Sequence, residues 1–283
     1  MTVGRGHQGT AGPGRQYHLD LAPGEAAEAI LLVGDPDRAD RVAALFEEVE
    51  VRRRHREFVT RTGLHQGRRI SVVATGIGPD NTEIAVVELC RLVERPTIIR
   101  CGSCGGLRPE LGIGELVISR AAYRLENTSL QFVGEGYPAA AHPEALLALA
   151  QAADEAGHPY HVGITATAPG FYGAQARDVP GFPPRDPGLL DDLARQGVLN
   201  VEMETSCLFT LASLRGFRAG AVCAVYAARP HGTFATPEER GAAEGRCIRV
   251  GLRALHLAAA LEAARGARPL WHPGLGHALD RFS

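Results

Sequence analysis

Three glycine-containing segments, two of which also carry an arginine, each follow an apolar, β-branched run, and their residue types suit a small anion. They are Gly-Asp-Pro-Asp-Arg at 34–38, Thr-Gly-Ile-Gly-Pro-Asp-Asn at 75–81 and Arg-Cys-Gly-Ser-Cys-Gly-Gly at 100–106. Glycines let backbone N–H groups approach a phosphate, arginines donate forked hydrogen bonds, and a serine hydroxyl adds a neutral donor. Because ligands of α/β sheets bind beyond the carboxyl ends of the strands, we expect the three turns to converge on one anion.

Taken singly, each turn has an ordinary structural explanation. Gly-Asp-Pro-Asp is common turn chemistry, and the Gly76-x-Gly78 pair lacks the third glycine of a dinucleotide fingerprint. Arg100 is different, because it directly follows the buried-type pair Ile98-Ile99 and needs an anionic partner there. The coincidence of all three segments favours a binding site.

The apolar runs that precede these segments predict the strands of a parallel sheet in an α/β domain. Candidate strands lie at 29–33, 70–74, 97–100, 115–118, 161–166 and 220–225. A helix is predicted over 248–262, where apolar residues repeat at helical spacing, and the prolines of 178–190 predict a long loop.

The two ends of the chain predict poorly packed tails around one domain. Residues 1–16 are rich in Gly, Arg and Gln, and residues 265–283 contain Pro, Gly and His without periodicity. We therefore expect a flexible segment at 1–16, one domain at 17–264 and a C-terminal extension at 265–283.

The composition of the chain limits which binding partners and which cellular compartment are expected. A formal net charge of -2 gives no cationic field for a nucleic acid, and no apolar run is long enough for a membrane span. The N-terminus lacks the apolar core of a secretory signal, which predicts a cytoplasmic protein. The six cysteines lie in apolar segments and are expected to be reduced; Cys101 and Cys104 form a C-x-x-C that lacks the second half of a zinc site.

From about His18 to Ala264 the chain resembles the nucleoside phosphorylase-I family, specifically its uridine phosphorylases. The motifs that carry this resemblance occur in order, at 34–38, 55–58 (His-Arg-Glu-Phe), 75–78, 100–106, 171–177 (Phe-Tyr-Gly-Ala-Gln-Ala-Arg) and 200–204 (Asn-Val-Glu-Met-Glu). The resemblance implies one α/β domain with a mixed, largely parallel central sheet flanked by helices.

The resemblance also implies a role for individual residues at the phosphate and the ribose. The implied phosphate ligands are Gly34, Arg38, Arg100 and Ser103, together with Arg56 reaching in from a neighbouring subunit. The implied ribose ligands are Met203, Glu204 and a partner chain's His18. A homo-oligomer follows, either a dimer or a hexamer built of dimers. Arg56 could instead belong to a solvated basic run, and Met203 could be plain core.

At the base, the resemblance implies Phe171, Gln175, Arg177 and Arg229, with Gln175, Arg177 and Arg100 as the catalytic groups. Gln offers a donor and an acceptor and Arg only donors, which fits the edge of uracil. Purine-cleaving relatives carry an acid after the strand near 226, where this chain has Tyr-Ala-Ala-Arg. We therefore expect phosphorolysis of a pyrimidine nucleoside, with phosphate as co-substrate and neither a metal nor an organic cofactor.

Two other functions stay open on the sequence alone. One is a purine nucleoside phosphorylase or hydrolytic nucleosidase on the same scaffold, and the other is a nucleoside-binding relative without turnover.

Overall fold

The centre of the molecule is a mixed sheet, seen in a computed structural model that describes residues 14–275. Within that part of the chain the sheet has ten strands: β1 (Ala29–Val33), β2 (Glu48–His55), β3 (Phe58–His65), β4 (Arg68–Ala74), β5 (Thr97–Gly106), β6 (Leu116–Arg124), β7 (Tyr160–Thr167), β8 (Val198–Glu202), β9 (Arg218–Ala228) and β10 (Thr233–Phe234). The helices are α1 (Pro36–Ala43), α2 (Pro79–Leu92), α3 (Pro143–Glu155), α4 (Leu189–Arg195), α5 (Thr205–Arg215) and α6 (Pro237–Arg265).

The strand order is β10-β9-β6-β7-β8-β5-β1-β4-β3-β2, and β9 also pairs with β5. Strands β5, β8, β7, β6 and β9 therefore close into a ring, while β1 to β4 extend from β5 as an open sheet. The neighbours β4, β1, β5 and β9 run parallel, and antiparallel pairs join β2 to β3 and β3 to β4 at the open edge. The predicted mixed α/β sheet is confirmed.

Helices cover both faces of the sheet. On one face α3 and α6 pack against β1, β5 and β9, and on the other α2 packs against α5. Two of the helices begin at residues that are typical helix caps. Asp35 caps α1 ahead of Pro36, and Thr236 forms a capping box with Glu239 at the start of α6. No helix among residues 14–275 is both long and apolar enough to cross a membrane.

All six predicted strands and the predicted helix over 248–262 are found, but one assignment is wrong. The segment 100–106 was expected to be a turn after its strand, and it lies inside β5. Gly105 and Gly106 pair with β8 on one side and with β9 on the other. The small residues of this segment fit between two neighbouring strands, which is why a glycine-rich sequence continues as a strand here.

The two segments predicted as tails lie partly outside the described residues, namely 1–13 and 276–283. In the described part, Arg15 forms ion pairs with Asp20 and Glu25. At the other end, the backbone N–H of Trp271 donates to Glu144, and its side chain packs against the core. The boundaries at 17 and 264 remain a prediction.

The cysteines are unbridged, as predicted, and all but the half-buried Cys90 are buried. Cys101 and Cys104 stand on β5, with the Cys101 thiol 3.4 Å from the carbonyl oxygen of Cys247 on α6. Cys101 acts as a small core side chain between the sheet and α6, whereas Cys104 packs in a separate cluster with Leu111 and Val225.

Gly251 marks the closest approach of α6 to the sheet. A Cβ there would collide with Sγ of Cys101 and lie 2.8 Å from Cδ1 of Leu31. We expect Gly251→Ala to lower the free energy of unfolding by about 1–3 kcal/mol through overpacking. Gly245→Ala, on the same helix and facing only the flexible end of Arg249 at 3.3 Å, should instead stabilise by about 0.5–1 kcal/mol. Denaturant unfolding of both variants measures this difference, and equal stability of the two would contradict the packing argument.

Candidate functional site

A cavity of about 940 Å³ opens beyond the carboxyl ends of β1, β4 and β5. Its size suits a small organic ligand together with an anion. The lining includes many residues of the sequence motifs: Gly34, Arg38, Gly76, Arg100, Ser103, Phe171, Gln175, Arg177, Met203 and Glu204. The three glycine-containing segments therefore meet at one cavity, as predicted, although the third is part of a strand.

One end of the cavity gathers the groups that the sequence predicts to bind an anion. The turns after β1 and β4 are tied together, because the N–H of Gly76 donates to the carbonyl of Gly34 over 2.9 Å. Arg38 is buried at the start of α1. Its Nε donates a hydrogen bond to Glu244 of α6 over 2.8 Å, and its Nη1 donates to the carbonyl oxygen of Cys101 over 3.1 Å. The Arg38 guanidinium is thus oriented by its neighbours before any ligand binds.

Arg100 lies at the centre of the cavity floor on β5 and is 5% exposed. Its Nη2 contacts Glu204 directly and lies 3.1 Å from Glu202. Burial opposes the charge, but the two carboxylates outweigh it and hold the pKa of Arg100 above its ordinary value. Nε and Nη1 are buried with no hydrogen-bond partner among the described residues. The predicted anionic partner of Arg100 is therefore found in these two carboxylates.

Glu204 links Arg100 to the turn after β4. Its Oε1 accepts the N–H of Gly78 at 2.7 Å, while its Oε2 contacts Arg100. Met203 precedes Glu204 in the sequence. It is half-buried and lines the cavity, so it is not simply a residue of the hydrophobic core. A carboxylate held in this way can accept hydrogen bonds from hydroxyl groups beside the anion.

The other end of the cavity carries Gln175, Arg177 and Phe171. The Arg177 guanidinium stacks 4.0 Å from the Phe171 ring centre and donates from Nε to the Phe171 carbonyl. Arg229 does not line the cavity but lies behind Gln175, donating from Nη2 to its Oε1 and from Nη1 to its backbone carbonyl, both at 3.2 Å. Arg229 therefore fixes the Gln175 amide, leaving its NH₂ group and the second lone pair of Oε1 for a ligand.

Burial lowers the pKa of Arg177, and burial together with the nearby charge of Arg177 lowers the pKa of Arg229 to about 10. Both guanidinium groups remain charged at neutral pH. The two arginines make this end of the cavity electropositive.

His18 and Arg56 lie outside this chain's own cavity. Arg56 occupies the tip of the β2–β3 hairpin, with a left-handed φ of 53°. Its Nη2 donates to the Tyr17 hydroxyl at 3.1 Å, and the guanidinium lies 5.0 Å from that ring's centre. His18 is adjacent, with Nδ1 2.8 Å from Oε1 of Glu88. The structure brings these two residues together on the surface, and neither lines this chain's own cavity.

Three residues that the sequence reasoning did not select also belong to the site. Glu202 accepts from the Thr167 hydroxyl at 2.7 Å and from the Glu204 N–H at 2.9 Å, and it faces Arg100. Asn81 and Arg240 line the cavity. Glu202 could have been found, because it stands in the same Asn-Val-Glu-Met-Glu motif as Glu204. Arg240 carried no signal, because it lies near the start of α6 and in none of the segments that follow the predicted strands.

The chain resembles known proteins over most of its length. The sequence profile of the phosphorylase superfamily matches residues 28–256. A uridine phosphorylase of Thermococcus kodakarensis is 43% identical over 93% of this chain and 94% of its own. A guanosine phosphorylase of Halorubrum lacusprofundi is 34% identical over 75% of this chain and 83% of its own. A solved nucleoside phosphorylase of Trypanosoma brucei, which shows uridine phosphorylase activity, superposes with a TM-score of 0.82 at 29% identity, covering 86% of this chain and 97% of the other.

Gly102 leaves room for the Arg100 guanidinium group, because it has no Cβ. A Cβ on Gly102 would collide with Nη1 of Arg100, one of the two nitrogen atoms that have no partner. We expect Gly102→Ala to displace the guanidinium and to reduce by at least half the rise in melting temperature that inorganic phosphate produces. Gly134→Ala, where the Cα faces open space, is the matched control and should keep the full rise. An unchanged phosphate response in Gly102→Ala would show that Arg100 does not bind the anion.

Proposed function

This chain belongs to the phosphorylase superfamily, and we propose that it is a uridine phosphorylase, a pentosyltransferase that cleaves uridine with inorganic phosphate into uracil and ribose 1-phosphate. The Thermococcus and Trypanosoma proteins support this activity, because each matches nearly the whole chain. A purine-type phosphorylase is the minor alternative, supported by the Halorubrum protein.

The observation that carries the proposal is the charge at the base end of the cavity. Arg177 lines that end, Arg229 lies directly behind Gln175, and β9 ends on Tyr226, Ala227 and Ala228 without an acid. A purine is protonated by an acid as it leaves, whereas uracil leaves as an anion that cations and N–H donors stabilise. Two guanidinium groups and a fixed amide therefore favour a pyrimidine.

The first task of the enzyme is to position phosphate. We assign this to the backbone of Gly34, the guanidiniums of Arg38 and Arg100, and the hydroxyl of Ser103, with Arg56 contributed by a second subunit. Nε and Nη1 of Arg100 can donate to phosphate while Nη2 stays on the carboxylates. Charge-assisted hydrogen bonds of this kind are short and directional, so they aim one phosphate oxygen at the sugar.

The ribose then lies between phosphate and base. We assign its hydroxyl groups to Glu204, its face to Met203 and its 5′ end to a partner chain's His18. Because Glu204 contacts Arg100, the ribose and phosphate subsites share one ion pair. Positioning the sugar and positioning the nucleophile are therefore coupled.

In the bond-changing step, a phosphate oxygen bonds to the anomeric carbon while the bond from that carbon to N1 of uracil breaks. The bonding electron pair leaves with the base, which becomes a uracil anion and later takes a proton from water. Arg177 and the Gln175 amide donate to the carbonyl groups on which that charge accumulates, and Phe171 covers the ring. No protein nucleophile, metal or organic cofactor is needed in this scheme, because phosphate itself attacks.

We also propose that the enzyme is a cytoplasmic homo-oligomer in pyrimidine salvage. Six unbridged cysteines suit a reducing compartment. The surface position of Arg56 and His18, away from their own cavity, supports at least a dimer.

The proposed reaction predicts strict dependence on phosphate and a preference for pyrimidines. We expect the purified protein to release uracil from uridine only when phosphate is present, and to cleave inosine and guanosine at least 100-fold more slowly by kcat/KM. Liquid chromatography of the bases released with and without phosphate measures both. Comparable purine turnover would establish the alternative, and cleavage without phosphate would make the protein a hydrolase.

The shared site predicts rescue between two impaired chains. Arg56→Ala and Arg177→Ala should each lower kcat/KM by at least tenfold, since each removes a charge-assisted contact. After subunit exchange, half of the dimers in an equal mixture are mixed, and each holds one site with both arginines intact. About a quarter of wild-type activity should therefore return. No rescue, despite exchange shown by mass spectrometry of labelled chains, would place Arg56 outside the active site.

A further inference from the structure

A second cavity, of about 290 Å³, lies at the opposite end of the sheet from the proposed active site. Arg218 begins β9 and pairs in register with Thr97, which begins β5, so this cavity borders the amino ends of the two strands. Thr97 stands three residues before Arg100, about 10 Å along the strand. The two cavities share no lining residue.

The lining of this cavity is strongly cationic. Four arginines, Arg95, Arg218, Arg265 and Arg268, face a single carboxylate, Glu262. The other four lining residues, His142, Gly216, Phe217 and Pro269, carry no charge at neutral pH, so positive charge exceeds negative by three.

Glu262 cannot neutralise this excess of positive charge, because its single carboxylate is already shared between two arginines. Arg218 contacts it at 2.6 Å and Arg265 at 3.4 Å. Arg265 also binds the buried Glu144, with Nη1 3.0 Å from each oxygen of that carboxylate. Arg95 and Arg268 line the cavity, are exposed, and form no ion pair with any acid among residues 14–275.

Donors at this site remain unused. Nε of Arg265 is buried and has no hydrogen-bond partner within the described chain. Nδ1 of His142 accepts the N–H of Glu144 at 3.2 Å, which leaves Nε2 to carry the ring proton as a donor. Burial also lowers the pKa of His142, so the neutral ring is the form present at pH 7. The site thus combines unpaired cations with spare N–H donors.

We propose that this cavity binds a phosphate dianion, either inorganic phosphate or the phosphate group of a small monoester. Guanidinium forks match the geometry of phosphate oxygens, and a dianion would offset most of the excess charge. The volume accommodates a phosphate group with a small substituent and is below that of most sites for larger ligands. The site is separate from the one that binds substrate phosphate, and its existence does not depend on uridine phosphorylase activity.

Isothermal titration calorimetry with inorganic phosphate, and separately with ribose 5-phosphate, tests the proposal on the whole chain. We compare the wild type with Arg95→Ala/Arg268→Ala, which removes two exposed cations and leaves the buried Arg265–Glu144 pair intact. We expect the variant to bind one fewer phosphate or monoester per chain, or to bind that equivalent at least tenfold more weakly. The ligand that loses more affinity is the one the cavity prefers.

The matched control is Arg120→Ala/Arg249→Ala, which removes two exposed arginines that line neither cavity. It should bind as the wild type does, and both double variants should keep wild-type turnover of uridine. If the chain proves inactive on uridine, the same subtraction of one binding equivalent still supports the second site. Equal binding by wild type and Arg95→Ala/Arg268→Ala, for both ligands, would overturn it, as would an equal loss in the control.

Discussion

The buried ion pair between Arg100 and the carboxylates of Glu202 and Glu204 is the constraint on which the site depends. A guanidinium group inside the sheet is tolerated only if acids compensate its charge, and the acids in turn need donors for their remaining lone pairs. Thr167 and backbone N–H groups supply those donors. The ion pair therefore fixes how β8 meets β5, and with it the position of the anion site relative to the sugar site.

The closed ring of strands makes this arrangement possible. Strand β5 pairs with β9 along its whole length, with β1 over its first half and with β8 at Gly105 and Gly106, so it changes partner on one side within the ring. Gly102 leaves room for the Arg100 side chain, and the ends of β5, β9 and β8 face one cavity. An open sheet would bring the turns after β1 and β4 together but not the motif that contains Glu204.

The sequence predicted the elements that short segments of the chain determine. It did not predict the features that depend on how β5, β8, β7, β6 and β9 close into a ring. Apolar runs predicted β1, β4 and β7, because a buried parallel strand is a continuous apolar segment of the sequence. The same rules read 100–106 as a turn, since nothing local shows that two strands flank it. Arg240 was missed for a related reason, as it reaches the cavity from α6. The family motifs supplied Gln175 and Glu204, which no periodicity could have placed.

The arginines of the proposed active site fall into two electrostatic kinds, and the difference follows the charge of the ligand at each end. Arg38 and Arg100 have carboxylates behind them, from Glu244 and Glu204, which orient the guanidinium groups toward a phosphate that is charged throughout the reaction. Arg177 and Arg229 are held instead by the Phe171 carbonyl and by Gln175. Without a carboxylate to offset them, these two arginines make the base end of the cavity electropositive. In the proposed reaction this positive charge is of most use when the base acquires negative charge, so these arginines would stabilise the transition state more than the bound nucleoside.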